Sequence, residues 1–515
     1  MEASKTYDLI IIGTGAGGGT LLHTLANSGK KILVLERGGY LPREKDNWES
    51  QAVFIDNKYK ARETWYDRQG RIFNPEIHYY VGGNTKLYGA ALLRFLSKDF
   101  EEVRHHAGIS PAWPITYHDL EPYYLQAERL YHVHGQRGVD PKESPASGPY
   151  PFPPLRHEPR IQELHDDLCT LGYSPFPLPL GVMLDENGGE NSPCIRCDTC
   201  DGFPCLISAK ADSEVACVRP ALTHANVTLL THAQVKRLET SPSGREVTRV
   251  IVQRKGTAEE YIGSIVVLSC GAINSAAVLL GSANDVHPNG LANSSDVVGR
   301  HYMCHNNSAF IAISQQLNPT VFQKTLALND FYFGSEDCEF PLGHIQTMGK
   351  ADAMKFKAAS PVPLPYRALD QLAKHSLDFW VTSEDLPQAE NRVIVGKDGA
   401  LHLHYKENNL EAHNRLNSKL SRLLKKIDRK HSLIPLSLCL RKKIPLRGTT
   451  HQCGTIRFGR DPKSSALDIN CKAHDLDNLY VVDGSFFVSS AAMNPALTIM
   501  ANALRVAEHL KERLR

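Results

Sequence analysis

Two hydrophobic rhythms alternate along the chain. Unbroken apolar runs of the kind found in buried parallel strands occur at residues 9–12, 31–35, 264–269 and 478–482. Polar and apolar positions alternate instead at 309–314, 330–333, 376–382 and 391–395, which predicts antiparallel strands, and Lys397-Asp398-Gly399 has hairpin-turn chemistry. Strands are also predicted at 225–230 and 233–238, and a hairpin at 247–253 that turns at Lys255-Gly256-Thr257 and returns through 261–262. Helical spacing covers 20–28, which Gly29 ends, and 117–131, which Thr116 caps. It recurs over 409–430, and over 494–510 with Pro495 as a first helical residue.

Composition narrows the function classes. At 515 residues the chain exceeds what one core usually supports, so two domains are expected. A net charge of +2 from 58 basic and 56 acidic residues leaves no footprint for nucleic acid or anionic lipid, and a small-molecule substrate is favoured. No apolar run approaches the ~20 residues of a membrane-spanning helix. The polar lead into Tyr7-Asp8-Leu9 leaves no room for an export signal, which predicts a cytoplasmic address unless a partner carries that signal.

The first apolar run opens into Gly13-Thr14-Gly15-Ala16-Gly17-Gly18, a G-x-G-x-x-G placed between strand and helix. Such glycines allow a tight turn, close approach of backbone to a pyrophosphate and close helix packing, and the helix N-terminus receives the phosphate. Glu36 ends the second strand, where a carboxylate accepts from an adenosine ribose and disfavours a 2′-phosphate. The fold class predicted is α/β, with a Rossmann-like dinucleotide domain and a mainly antiparallel, sheet-based substrate domain. The dinucleotide domain takes residues 1–305, with 106–205 as connecting segments, and 451–515; the substrate domain takes 306–450. The proline stretch from Ser360 to Tyr366 reads as a lid or a stiff surface loop.

Cys194, Cys197, Cys200 and Cys205 form C-x2-C-x2-C-x4-C, a density suited to an iron–sulfur cluster or a zinc ion. One or two local disulfides and buried free thiols are the competing readings, the first disfavoured in a reducing compartment.

Near the C-terminus, His451 lies in Thr449-Thr450-His451-Gln452-Cys453-Gly454-Thr455, and Met493-Asn494-Pro495-Ala496-Leu497-Thr498 follows. With the N-terminal fingerprint, these segments resemble the glucose-methanol-choline flavoprotein oxidoreductases, nearest to their pyranose oxidase, gluconate dehydrogenase and cholesterol oxidase branch. The resemblance implies a FAD-dependent enzyme that oxidises an alcohol, a sugar or sterol among the candidates. His451 would take the hydroxyl proton, Asn494 would orient the oxygen, and hydride would pass to the flavin. It also implies cofactor contacts from Gly13, Gly15, Gly18, Glu36, Gly82, Gly83, Asn84, Val235, Asp483, Asn494 and Thr498. Some relatives bond their flavin covalently from the second glycine-rich segment, 81–90; the matching position is Leu87, so non-covalent FAD is expected. The electron acceptor stays open, a partner subunit among the choices. An NAD-dependent dehydrogenase and a non-catalytic flavin-binding redox partner are the rival functions.

Overall fold

A computed structural model describes residues 6–314, 316–359, 364–431, 440–448 and 450–515. Residues 360–363 of the proline stretch, and Thr449, lie outside them.

Four apolar runs become the centre of a 7-stranded sheet. Strand Thr6–Ile12 lies between Ile32–Leu35 and the C-terminal half of Thr257–Leu268, all parallel, with Val227–Leu230 and Leu479–Val481 flanking them. Leu9, Ile10 and Ile11 are fully buried, as expected for strands covered on both faces. The predicted hairpin is longer than its pattern suggested. Val247–Arg254 pairs with the first residues of Thr257–Leu268, which then bends into the parallel sheet, and Ala233–Thr240 adds an outer antiparallel strand. Helix Ala16–Leu25 follows the first strand and packs against the last helix, Ala496–Arg513. Gly29, at φ 73°, ends the turn after the first helix. Thr116 caps Tyr117–Leu130 through a reciprocal pair with Asp119, worth about 1 kcal/mol.

A second, 6-stranded sheet is antiparallel throughout, in the order Leu440–Lys443, Asn306–Ile313, Ser376–Ser383, His344–Thr347, Leu326–Leu328, Phe176–Pro177. Helices Pro159–Thr170 and Leu410–His431 cover one face, burying Leu164, Leu168, Leu416 and Leu420 against Phe310, Leu377 and Phe379. On the opposite face the register aligns Lys442, Ala309, Trp380 and Gln346 in one row across four strands. Helix Pro159–Thr170 and strand Phe176–Pro177 thus build this sheet from inside the stretch read as connecting segments.

Two sequence expectations change. Residues 330–333 form a turn, Tyr332 N–H donating to the Asn329 carbonyl, and the strand is Leu326–Leu328 just before it. Asn329-Asp330 is turn chemistry, which overrode the alternation after it. Strand Arg392–Val395 belongs to neither large sheet: it joins Leu401–His404, Trp65–Asp67 and Ile72–Phe73 in a separate 4-stranded sheet. Among the described residues no helix is long and apolar enough to cross a membrane.

Candidate active site

The carboxyl ends of the parallel strands converge at one point. Gly13 N–H donates to the Leu35 carbonyl at 2.8 Å, Ser269 to Ile12 at 2.7 Å and Val482 to Leu268 at 3.0 Å. A ligand crevice is expected at this switch point of a parallel sheet. A cavity of about 1880 Å³ opens there and runs to the bare face of the second sheet, bounded by Gly13, Gly15 and Glu36 at one end and Trp380, His451 and Asn494 at the other. Drug-sized sites occupy about 300–1,000 Å³, so there is room for a dinucleotide and a substrate together.

The first glycine segment has the shape a pyrophosphate needs. A Cβ on Gly13, whose φ is +98°, would lie 2.2 Å from the Ser269 carbonyl oxygen, and one on Gly18 would lie 2.1 Å from the Gly13 oxygen. Gly15 has nothing within 4 Å of its missing Cβ: it faces open space at the start of Ala16–Leu25. Gly18 packs behind the site and is not on the cavity wall.

Glu36 is buried at the end of its strand, where its carboxylate accepts from the N–H groups of Thr14 (3.1 Å) and Gly38 (3.0 Å) and from the Thr14 hydroxyl. Burial raises its pKa, and these hydrogen bonds oppose that rise. The Thr14 hydroxyl in turn accepts from Gly82 N–H at 2.9 Å, which draws the second glycine segment against the first. Gly83 and Asn84 reach the cavity wall beside Gly15, with the Asn84 carboxamide oxygen accepting from His78 N–H; Gly82 lies behind them. Leu87 lines the same wall. Gln234, Val235 and Lys236 border the far end, where the pairing skips between Val235 and Arg237 and Lys236 is the extra, bulged residue.

Two of the expected cofactor contacts are arranged differently. Asp483 lines the cavity, yet its carboxylate is already engaged by Gly271 N–H, the Ser275 hydroxyl, Ser485 N–H and the Ser485 hydroxyl. It therefore aims backbone at the cavity more than it offers free lone pairs. Thr498 is fully buried off the cavity wall, its hydroxyl bonded to that of Tyr124 at 2.8 Å. At about 100° per residue the helix turns Asn494, Pro495, Ala496 and Ile499 to the cavity and Thr498 toward Tyr117–Leu130.

His451 and Asn494 both line the cavity. The Asn494 carboxamide has no protein partner among the described residues. His451 is half-buried, and burial, aided by the neighbouring His305, lowers its pKa to about 3, so the ring is neutral near pH 7. The backbone explains the pair of rings: Met303 and Cys453 exchange N–H···O bonds of 3.0 and 2.9 Å, which sets residues 305 and 451 opposite each other. The Nδ1 atoms of His305 and His451 are 3.0 Å apart, and His305 Nε2 is 2.9 Å from the Ser490 carbonyl oxygen. His305 was not among the sequence candidates. Nothing in Tyr302-Met303-Cys304-His305-Asn306 marks a site; only the pairing with 451–455 does.

The cysteine segment requires a correction. Cys194, Cys197, Cys200 and Cys205 are free thiols, and among the described residues no three His, Cys, Asp or Glu side chains converge as a metal or cluster would need. Lysines organise the segment instead. Lys210 Nζ donates to the carbonyls of Tyr88, Cys200 and Phe203 at 2.7–2.8 Å, and Lys324 Nζ meets Asp201 at 2.7 Å. Burial pushes the Cys194 thiol up to about 12.

Two family models, both described as GMC oxidoreductase, match residues 7–307 and 404–503. The chain is 30% identical to 6'''-hydroxyparomomycin C oxidase of Streptomyces lividus over 99% of this chain and 92% of that protein. It is 27% identical to paromamine 6'-oxidase of Streptomyces fradiae over 98% and 92%. The crystal structure of pyridoxine 4-oxidase from Mesorbium loti shares the fold with a TM-score of 0.67 at 17% identity, covering 98% of both chains.

The glycine geometry separates folding from cofactor binding. Gly13→Ala should cost about 3 kcal/mol or more of stability, adding a left-handed residue to a backbone clash. Gly15→Ala should fold within about 0.5 kcal/mol of the parent but lose roughly tenfold or more in FAD affinity. Thermal unfolding and the flavin-to-protein absorbance ratio check both; a Gly15→Ala protein with full flavin content overturns the placement.

Proposed function

The chain belongs to the GMC oxidoreductase family and is a FAD-dependent oxidoreductase acting on CH–OH groups, and from that premise we propose that His451 takes the hydroxyl proton while Asn494 holds the alcohol oxygen. The observation that carries this reading is the shared cavity wall: a neutral imidazole held through one nitrogen by His305, and an unpartnered carboxamide, both beside the start of Ala496–Arg513. When bound, FAD supplies the hydride acceptor. Gly13, Gly15 and the first turn of Ala16–Leu25 would hold its pyrophosphate, Glu36 its ribose and the backbone at Val235 its adenine. Gly83, Asn84 and the Asn494-Pro495-Ala496 turn would border the ring, whose negative charge the helix N-terminus favours. With Leu87 in place of a nucleophile, the attachment is non-covalent.

Residues 306–450 supply the substrate side. Trp380, Gln346 and Ala309 form its floor, Lys442 and Arg447 stand at its rim without a carboxylate partner among the described residues, and Lys355 lies deeper, over the Phe203 ring and near Asp352 and Asp201. An indole face beside a carboxamide suits the stacked, hydroxylated face of a carbohydrate-like alcohol, and the charged rim interrupts the continuous apolar wall a sterol requires. Lys442 and Arg447 repel a substrate that carries several ammonium groups, such as the paromamine named for the Streptomyces fradiae relative.

Anaerobic stopped-flow reduction of the bound flavin tests the proposal apart from the electron acceptor. His451→Ala should slow reduction by roughly 10²–10⁴ at normal FAD content, and Asn494→Ala by less, since it removes a hydrogen bond but no proton acceptor. Reduction by His451→Ala at the parent rate sinks the assignment. In the same assay paromamine should reduce the flavin with a lower kcat/KM than a neutral sugar, by a margin that narrows with salt; a preference for paromamine at low salt refutes the charge reading. Acid precipitation should leave the yellow colour in the supernatant, and colour in the pellet would refute non-covalent binding.

A further inference from the structure

His305 has a hydrogen-bond pattern with a chemical consequence. Its Nε2 faces the Ser490 carbonyl oxygen, which can only accept, so Nε2 carries the hydrogen. Burial lowers the pKa of His305, so the ring is neutral and its Nδ1 is a lone pair. The atom 3.0 Å from that lone pair, His451 Nδ1, must then be the donor. Neutral imidazole carries one N–H, which leaves His451 Nε2 unprotonated. We infer that His305 is a positioning residue that fixes His451 in its Nδ1–H tautomer and so leaves the Nε2 lone pair free to act as the base.

The inference rests on the reading of His451 as the base, and adds what makes it one. As the substrate O–H bond breaks, a new N–H bond forms at His451 Nε2, and the resulting imidazolium keeps donating from Nδ1 to His305. Ring orientation is fixed at the same time: the two planes cross at 85° with centroids 5.1 Å apart. The titratable groups facing His305 are His451, Glu384 at the end of Ser376–Ser383, and His344 in the neighbouring strand His344–Thr347. Glu384 also meets His105 Nε2 at 2.9 Å and accepts from the Ser110 hydroxyl and Ala491 N–H. Burial pushes Glu384 up, but His105 and the Ser110 hydroxyl outweigh it and hold the carboxyl below its ordinary range. A carboxylate therefore lies within electrostatic reach of His305.

His305 sits at φ 58°, in the left-handed region, so asparagine is the substitution that keeps the backbone. The test is 15N NMR of 15N-histidine-labelled holoenzyme, with His451→Asn used to assign the His451 ring. The expected signature is a protonated Nδ1 and a lone-pair Nε2 on His451 in the parent, and a mixture of tautomers in His305→Asn. In anaerobic stopped-flow, His305→Asn should reduce its flavin roughly 10²-fold more slowly, since loss of a tautomer-fixing partner costs a histidine base up to about 10⁴. The acid limb of the rate profile should move, with FAD content unchanged. His305→Gln repeats the comparison should the asparagine variant lose its flavin. A parent spectrum with His451 protonated at Nε2 overturns the proposal without any substrate present. So does a His305→Asn rate within twofold of the parent while His451→Ala stays slow, which spares the base assignment.

Discussion

The catalytic corner depends on one short run of backbone, residues 451–458, being gripped from both sides. On one flank Met303 and Cys453 exchange hydrogen bonds and Gly299 donates to the Thr455 carbonyl. On the other, Gly454, Ile456 and Phe458 donate to the carbonyls of Gly484, Ser485 and Phe486. The first flank leads into the second sheet through Asn306–Ile313; the second continues the parallel strand Leu479–Val481 past Asp483. His451 is thus fixed where the two sheets meet, and its distance from the glycine segments, the distance from proton acceptor to cofactor on the proposed reading, is set by backbone ladders. Positioning of this kind matters because hydride and proton transfer tolerate little misplacement.

At the cofactor end a single hydroxyl plays the corresponding part. Thr14 donates to Glu36 and accepts from Gly82, so the phosphate turn, the ribose acid and the second glycine segment form one hydrogen-bonded unit. The element order around the fingerprint and Glu36 was legible because it is local: strand, glycines, helix, strand and acid follow in order within a stretch of chain that folds back on itself. The link to Gly82, across 68 residues of sequence, is tertiary and left no pattern to read. The same division explains the rest. Parallel strands showed as apolar runs because both of their faces are buried. Strand Leu326–Leu328 was missed because three residues are too few to display a period, and Pro159–Thr170 gave no hint that it would cover the second sheet.

Where residue types were read without their neighbours, they misled. Thr498 suits a cofactor contact by its place after Asn494, but Tyr124 already holds its hydroxyl. The cysteine spacing suits a metal, yet the positive charge inside that segment is Lys210, buried with three carbonyls as acceptors. A buried ammonium with three donors satisfied does locally what a cation would do. Neither lysine nor tyrosine announced itself, since each acts through contacts made only after folding.

The low pKa of His451 raises a physical problem that its surroundings answer. A base held at about 3 is present in the right form near pH 7, but it is a weak acceptor, and general-base catalysis gains most when the pKa lies close to the working pH. The cost falls on the imidazolium, which burial disfavours. Burial also pushes Asp99 to about 8 and Asp385 to about 7, so at neutral pH Asp99 is mostly protonated and Asp385 only partly so. Glu384 is the exception, kept ionised beside His105. On the proposed reading, a positive charge that arises on His451 meets the His305 lone pair, in a setting where screening by water is weak. The resting ring is thus neutral, and on that reading the His305 lone pair counts only once the charge forms, which is where binding energy accelerates a reaction.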